Sequence, residues 1–230
     1  MQCNNGPVLT ALDVSRVFGS EETAVTALSA ISLTVEQGDF LAVTGRSGSG
    51  KTTLLNLLSG LDRPNTGTVH FYGDDLALLK EADLVDMRRH KIGFVFQSFG
   101  LMPLLSAQEN VELPLHIGGV SWRERRQRAA DALYAVGLGT RARHRPFELS
   151  GGEQQRVSIA RALVTQPEVV FADEPTGELD TATARSIAET LGEVAASRRA
   201  TVIVATHDLD LAAQAKRRID LVDGQVVSPD

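Results

Sequence analysis

The chain has 230 residues, a formal net charge of −6, 43% hydrophobic residues and one cysteine, Cys3. This length suits one α/β domain, or one core carrying a smaller lobe, and the interspersed charges exclude a nucleic-acid-binding footprint. One cysteine excludes a disulfide framework or a cysteine metal site, and no apolar run approaches the roughly 20 residues that span a bilayer.

The first third of the chain predicts an antiparallel β layer beside a short buried strand. Two stretches between residues 8 and 35 read as antiparallel strands, the second with clear apolar and polar alternation. Residues 40–43 form a short apolar run before a glycine-rich loop, and the helix after this loop should end at Gly60. A turn at residues 64–67 precedes a further strand at residues 68–72.

The remaining elements predict a helical lobe inserted into a parallel core. A polar helix at about residues 80–89 leads to a strand at residues 92–96, and from Gln97 to residue 165 only helices are indicated. Strands at residues 169–172 and 201–206 flank a helix at residues 181–196; a helix at 209–216 and a hairpin at 223–224 follow. Three capping-box patterns mark helix starts in the lobe: Ser106 with Glu109, Ser121 with Glu124, and Ser150 with Glu153.

The glycine-rich loop fits the phosphate-binding pattern G-x-x-x-x-G-K-[ST] through Gly45, Gly50, Lys51 and Thr52. Glycines at 45, 48 and 50 allow the positive backbone angles that turn N–H groups toward an anion. We expect Lys51 to bridge terminal phosphates and the Thr52 hydroxyl to ligate magnesium. An ordinary strand-to-helix turn is the alternative, but it does not require Lys-Thr at these positions.

Polar side chains follow three of the predicted core strands. Asp173 and Glu174 end a buried strand, at the sheet edge where open α/β proteins bind ligands. Asp173 is expected to hold magnesium, and Glu174 to polarise the water that attacks the γ-phosphate. Taken alone, the two acids could merely end a strand, His207 could be structural, and Gln97 could be a loop amide.

A second anion-binding helix start is predicted at Ser150. A capping box explains Ser150 and Glu153 but not Gly151 and Gly152, which are poor helix formers. Exposed N–H groups in the first turn of this helix would suit a phosphate. Two phosphate sites in one chain then require two ligands or two chains.

These motifs, in this order, closely resemble the nucleotide-binding domain of ABC transporters over essentially the whole chain, and LSGGEQQRVSIARAL from Leu149 is the most specific segment. The resemblance implies an α/β P-loop NTPase fold of ABC type, with a mostly parallel core sheet, a flanking antiparallel β layer and an inserted α-helical lobe. It implies one ABC ATPase domain over residues 1–230. The β layer and P-loop core would cover about 8–96, the helical lobe about 97–165, and the rest of the core 166–230.

The resemblance also implies site residues and the ligands ATP and Mg²⁺. Glu174 would be the catalytic glutamate, His207 the switch histidine, and Gln97 the glutamine that senses magnesium and the γ-phosphate. Magnesium would be held by Thr52, Gln97 and Asp173. The Walker A residues implied to bind ATP are Gly45, Arg46, Ser47, Gly48, Ser49, Gly50, Lys51, Thr52 and Thr53. Further nucleotide contacts are implied for Phe18, which would stack on adenine, for Ser150, Gly151 and Gly152, and for Asp180, which could equally be a helix N-cap.

Two kinds of partner follow from the resemblance. Such domains form head-to-tail dimers with ATP between Walker A of one chain and the LSGG segment of the other, so a second copy of this chain is expected. Several segments, including 109–115 and 172–177, resemble the branch for lipoprotein release, macrolide export and antimicrobial-peptide resistance, which also contains a cell-division ATPase. Members pair with an integral-membrane permease-type subunit.

Location and class follow from the same resemblance. Because the N-terminus lacks a signal segment, we expect a cytoplasmic protein, peripheral on the inner face of the membrane, without direct membrane insertion and without nucleic acid. A soluble single-domain assembly factor is the alternative, whereas DNA-repair relatives carry a long coiled coil that is missing here.

Three departures from the family pattern and one apolar segment bear on the partners. Glu153 stands where Gln is commoner, and Phe18 stands where Tyr is commoner. Glu178 stands where a small or amide residue is usual and is expected to affect dimer affinity. Residues 99–105, FGLMPLL, are hypothesised to line a groove for a helix of the membrane partner. Alternatively, these side chains fill the core of the helical lobe.

Overall fold

Two β-sheets and a group of helices make up the part of the chain that the computed structural model describes, residues 6–20, 23–197 and 200–228. Cys3, and with it the expectation that it forms no disulfide, lies outside these residues. The strands are β1 Leu9–Phe18, β2 Val25–Val35, β3 Phe40–Thr44, β4 Thr66–Phe71, β5 Asp74–Asp75, β6 Ile92–Val95, β7 Val169–Asp173, β8 Thr201–Thr206, β9 Arg217–Val222 and β10 Gln225–Ser228. The helices are α1 Lys51–Leu58, α2 Glu81–Lys91, α3 Ala107–Ile117, α4 Trp122–Ala135, α5 Gly151–Leu163, α6 Thr181–Ala196 and α7 Leu209–Ala212, with 3₁₀ turns at Gly139–Arg141 and Pro146–Glu148.

The predicted fold class is confirmed. One sheet is antiparallel with the strand order β2-β1-β4-β5, and the larger one has the order β10-β9-β3-β8-β7-β6. In the larger sheet every pairing except that of β9 with β10 is parallel. Helices α3, α4 and α5 follow one another between β6 and β7, which makes them an insertion into the α/β core.

Alternation along the parallel strands divides the apolar interior into two layers. Leu41 and Val43 of β3 face the layer shared with α1, α2 and the antiparallel sheet. Phe40 and Ala42 face the opposite layer, which α6 and α7 cover. A third cluster, including Val111, lies within the inserted helices. These strands are therefore buried on both faces, which explains their continuous apolar runs.

The structure corrects three local expectations and adds one short strand. The last helix ends at Ala212 and not at residue 216, and the backbone N–H of Lys216 already donates to Phe40 O at 3.0 Å beside β3. The strand expected at residues 68–72 is β4, which begins at Thr66. The sequence did not predict the two-residue strand β5. Ser121 caps α4 through its side chain, but the Glu124 carboxylate pairs with Arg128 at 3.3 Å and does not complete a capping box.

Within residues 6–20, 23–197 and 200–228, no helix has both the length and the apolar character needed to cross a membrane.

Candidate functional site

The phosphate loop (residues 45–53) and three other predicted groups follow four neighbouring strands of the parallel sheet. The order β3-β8-β7-β6 places the loop, His207, the Asp173–Glu174 pair and Gln97 in succession along one edge. Strand register supports this arrangement, since Thr44 lies opposite Thr206 and Asp173 lies opposite Ala205. The carboxyl ends of parallel strands are where open α/β sheets bind ligands.

The phosphate loop requires glycine at positions 45 and 50. Gly45 has φ of 156° and Gly50 has φ of 103°, in the region that side chains rarely adopt. A Cβ on Gly45 would collide with the carbonyl oxygen of Leu221, and one on Gly50 with that of Ala27. The loop is therefore held tightly against β9 and β2, and α1 begins directly behind it at Lys51.

Lys51 occupies the mouth of this loop. Its side chain is 7% exposed, and Nζ donates to Gly45 O at 2.8 Å and to Arg46 O at 3.2 Å. Nζ also lies 3.3 Å from Glu174 Oε1. The ammonium group is thus partnered by two carbonyls and one carboxylate at the point where a phosphate would enter.

Glu174 sits between Lys51 and His207. Its Oε2 lies 2.9 Å from His207 Nδ1 and accepts from the His207 backbone N–H at 3.2 Å. Its backbone has φ of 45°, uncommon for a residue with a side chain, and its own N–H donates to Ala205 O at 2.8 Å. The strand end is therefore held in a costly conformation that aims the carboxylate along the sheet edge.

Asp173 and Thr52 offer oxygen ligands for a hard cation. Thr52 Oγ1 donates to Asp173 Oδ2 at 2.8 Å, while Asp173 Oδ1 is buried and has no hydrogen-bond partner among the described residues. Burial raises the pKa of Asp173 above its ordinary value, although the hydrogen bond from Thr52 opposes this shift. A nearby divalent cation would favour the ionised carboxylate, so these residues fit Mg²⁺, which takes few protein ligands and completes its shell with water and phosphate.

Three further predicted residues lie on exposed loops or element ends. Phe18 ends β1, is 44% exposed, and has the guanidinium of Arg16 over its ring at 4.5 Å. Gln97 is exposed and lies two residues after the end of β6. Asp180 is the N-cap of α6, where its side chain accepts from the backbone N–H groups of Ala182 and Thr183. Hydrogen bonds from the Thr183 side chain and backbone lower the pKa of Asp180.

The signature segment (Ser150, Gly151 and Gly152) begins α5 as predicted. Ser150 and Glu153 form a reciprocal capping box: Ser150 N–H donates to Glu153 Oε2 at 2.9 Å, and Glu153 N–H donates to Ser150 Oγ at 3.3 Å. A second reason for glycine appears at Gly152, where a Cβ would collide with Thr183 Cγ2 of α6. Close packing of α5 on α6 thus requires a residue without a side chain there.

This packing gives a testable difference between two adjacent glycines. Gly152→Ala is expected to lower the free energy of unfolding by about 1–3 kcal/mol, the usual effect of overpacking. Gly151→Ala is the matched control, because its Cβ would lie 3.5 Å from Leu179 Cδ2, an ordinary contact distance. Urea denaturation of both variants would measure the difference. Equal stabilities would show that α5 and α6 are not closely packed at Gly152.

Two buried or part-buried polar side chains near these loops were not recognised from the sequence. Gln155 on α5 is fully buried and donates from Nε2 to Pro175 O at 2.7 Å. Arg161, also on α5, donates to Phe99 O at 3.0 Å and to Gly100 O at 2.5 Å. Gln155 lies three residues after Gly152 on a helix face, so helical spacing could have indicated its burial, but no sequence signal indicated its partners.

Comparisons with known protein sequences agree with this geometry. The sequence model of the ABC transporter family matches residues 28–177. The macrolide export ATP-binding/permease protein MacB of Hyphomonas neptunium is 47% identical over 222 residues, which are 96% of this chain and 34% of that protein. The lipoprotein-releasing system ATP-binding protein LolD of Geobacter metallireducens is 47% identical over 221 residues, covering 96% of this chain and 98% of that protein. The chain thus spans about a third of the macrolide exporter.

Solved structures show the same architecture. A dimeric structure of a post-hydrolysis state of the ATP-binding cassette MJ0796, bound to ADP and Pi, matches with a TM-score of 0.89 and 41% sequence identity. This match covers 96% of the present chain and 97% of the other. CbiO1 from Clostridium perfringens, described as part of the ABC transporter complex cbiONQ, matches with a TM-score of 0.86 and 26% identity.

Proposed function

The chain belongs to the ABC transporter family, and we propose that it is the ATP-binding and ATP-hydrolysing subunit of a transporter in the lipoprotein-release and macrolide-export branch. The observation that carries this proposal is the meeting of Lys51, Asp173 and Glu174 at one sheet edge beside a phosphate-type loop. A single ABC ATPase domain over residues 1–230, with a helical lobe at about 97–165, is part of the proposal.

ATP binding is assigned to the phosphate loop. The backbone N–H groups of its glycines and the N-terminus of α1 bind the phosphates of ATP. The ammonium group of Lys51 leaves the loop carbonyls and contacts the terminal phosphates. Thr52 and Asp173, with Gln97 nearby in the sheet order, would hold Mg²⁺, which would neutralise phosphate charge when bound. The exposed ring of Phe18 offers a stacking surface for the adenine.

Hydrolysis is assigned to Glu174. The water oxygen attacks the γ-phosphorus in line, its proton passes to the Glu174 carboxylate, and the bond to the bridging β,γ-oxygen breaks to leave ADP and phosphate. Glu174 Oε1 is paired with Lys51 at 3.3 Å in this structure. When Lys51 engages phosphate it leaves this oxygen free for water, so substrate binding readies the base. His207, at 2.9 Å from Oε2, keeps the carboxylate oriented.

A second copy of the chain would complete the site. The hydrogen bonds of the Ser150 side chain and N–H remain within its own capping box. The first-turn N–H groups at Gly151 and Gly152 are then available to a γ-phosphate held by the partner's phosphate loop. Asp180, as the N-cap of α6, holds the loop between β7 and α6 at the seam.

The membrane partner is assigned to a groove between the α/β core and the helical lobe. Apolar side chains of Val85, Phe96 and Ile117 line this groove together with Gly100, and three arginines also line it. Phe96 and Ile117 are 42% and 56% exposed. Such a groove suits an amphipathic helix of an integral-membrane permease-type subunit on the inner face of the membrane. Of residues 99–105, which were expected to line such a groove, only Gly100 does so, and Leu101 packs partly against the lobe core.

Recovery of a membrane protein would test the proposed partnership. A tagged chain purified from detergent-solubilised membranes of its own source is expected to carry a stoichiometric membrane protein. Ile117→Glu should reduce that yield at least about tenfold, because it places a charge where the apolar face of the amphipathic helix would dock. Leu78→Glu is the control, since Leu78 is 83% exposed and does not line the groove.

The outcomes of this purification separate the alternatives. Equal recovery with both variants would place the partner elsewhere on the chain. A wild-type chain that hydrolyses ATP but carries no membrane protein would favour the soluble assembly factor. Leu101→Glu is expected to destabilise the isolated chain, because Leu101 packs partly against the core of the helical lobe.

A further inference from the structure

Gln155 makes a buried connection between the signature helix and the catalytic loops. It is 0% exposed, and its Nε2 donates to Pro175 O at 2.7 Å, with a longer contact of 3.5 Å to Phe96 O. Pro175 directly follows Glu174, and Phe96 directly precedes Gln97. One amide group on α5 therefore reaches the backbone beside both residues.

The orientation of this amide is determined by its neighbours. Both nearby groups are carbonyl oxygens, which accept only, so the NH₂ group and not the oxygen must face them. The amide oxygen Oε1 is buried, and no described residue donates to it. Burial of the unpaired amide oxygen is unfavourable and offsets part of the stability that the hydrogen bonds of Nε2 contribute, so the net effect of this amide on stability is small.

The position of Gln155 along α5 connects two parts of the proposed reaction. Gly152, in the segment assigned to the partner chain's ATP, lies one helical turn before Gln155. Arg161, further along the same helix, holds the backbone at Phe99 and Gly100 just beyond Gln97. If engagement of the second chain shifted α5, these contacts would carry the shift to the loops that hold Glu174 and Gln97.

We infer that Gln155 is a positioning residue for ATP hydrolysis: its buried amide sets Glu174 and Gln97 relative to the signature segment. The inference rests on the proposed function, because it assigns Gln155 a role in the reaction of that site. It does not make Gln155 a group that touches ATP.

Gln155→Met tests this inference, since methionine preserves the length of the side chain and removes both donors. The turnover number is expected to fall by roughly 10–100-fold, the effect of a displaced catalytic group, while the Kd for Mg-ATP changes less than about twofold. The thermal unfolding midpoint should change little, because removal of the unpaired oxygen offsets part of the loss of the hydrogen bonds of Nε2. Amide hydrogen exchange should increase at residues 96–100 and 174–178.

Gln127→Met on α4 is the matched control, because Gln127 Nε2 donates to Asp131 Oδ1 at 2.9 Å within the same helix. It should keep the turnover and the exchange of the wild type. The inference is overturned if Gln155→Met keeps wild-type turnover. It is also overturned if the loss of turnover is no larger than the loss of folded protein, because the effect would then be one of stability alone. A wild-type chain without ATPase activity would refute the proposed function instead. The exchange comparison would then still decide whether Gln155 holds the two loops.

Discussion

Glu174→Gln is expected to lower the turnover number for ATP hydrolysis by roughly 10²–10⁴, as loss of a general base does. The amide keeps the size of the carboxylate and can still accept from the His207 backbone N–H, which lies 3.2 Å from Oε2. It cannot take a proton from the attacking water at neutral pH. Steady-state phosphate release, together with calorimetry of Mg-ATP binding, would measure both quantities.

Affinity for ATP should survive this substitution, because no phosphate contact is assigned to Glu174. Removing the carboxylate that lies 3.3 Å from Lys51 even frees the lysine for phosphate. Glu189→Gln, a change at an exposed glutamate of α6, controls for the loss of one negative charge. Turnover near that of the wild type would show that another group activates the water.

Lys51→Ala is expected to weaken Mg-ATP binding by roughly 10–100-fold, since a charge-assisted hydrogen bond contributes about 1.5–3 kcal/mol. The lysine is 7% exposed and already lies among loop carbonyls, so its ammonium reaches a bound phosphate without entering from solvent. Titration calorimetry would give the Kd directly.

The control for Lys51→Ala is Lys80→Ala, at an exposed lysine in the N-cap position of α2 whose side chain makes no capping hydrogen bond. This variant should bind ATP as the wild type does, and circular dichroism should show both variants folded. An unchanged Kd for Lys51→Ala would show that Lys51 does not contribute to binding the phosphates of ATP. Loss of turnover without loss of affinity would instead assign Lys51 to the transition state alone.

Much of the fold follows from local patterns in the sequence. The runs at β7 and β8 are apolar because both faces of these strands are buried, and α6 has the bounds expected, Thr181–Ala196. The end of α7 could not be predicted from the sequence. After Ala212 the chain leaves the helix and goes on to form β9, which pairs with β3. Because this pairing joins residues that are far apart in the sequence, no pattern within a short segment could indicate it.

The candidate site was predictable as a set of residues but not as a set of contacts. The motifs placed Asp173, Glu174 and His207 at strand ends, and parallel pairing brings such ends to one edge. The approach of Lys51 to Glu174 depends on how the loop and β7 sit in space. Gly152 illustrates a second limit: its poor helix propensity indicated a phosphate site, whereas the structure adds a packing reason that involves Thr183.

We propose that ATP joins two copies of this chain, with the phosphate loop of one facing the signature segment of the other. Size-exclusion chromatography with light scattering on Glu174→Gln, with and without Mg-ATP, tests it most directly. We predict a monomer without nucleotide and a dimer with Mg-ATP, because bound ATP persists when hydrolysis is slow. A chain that binds Mg-ATP and remains a monomer would contradict the claim that nucleotide alone closes the pair.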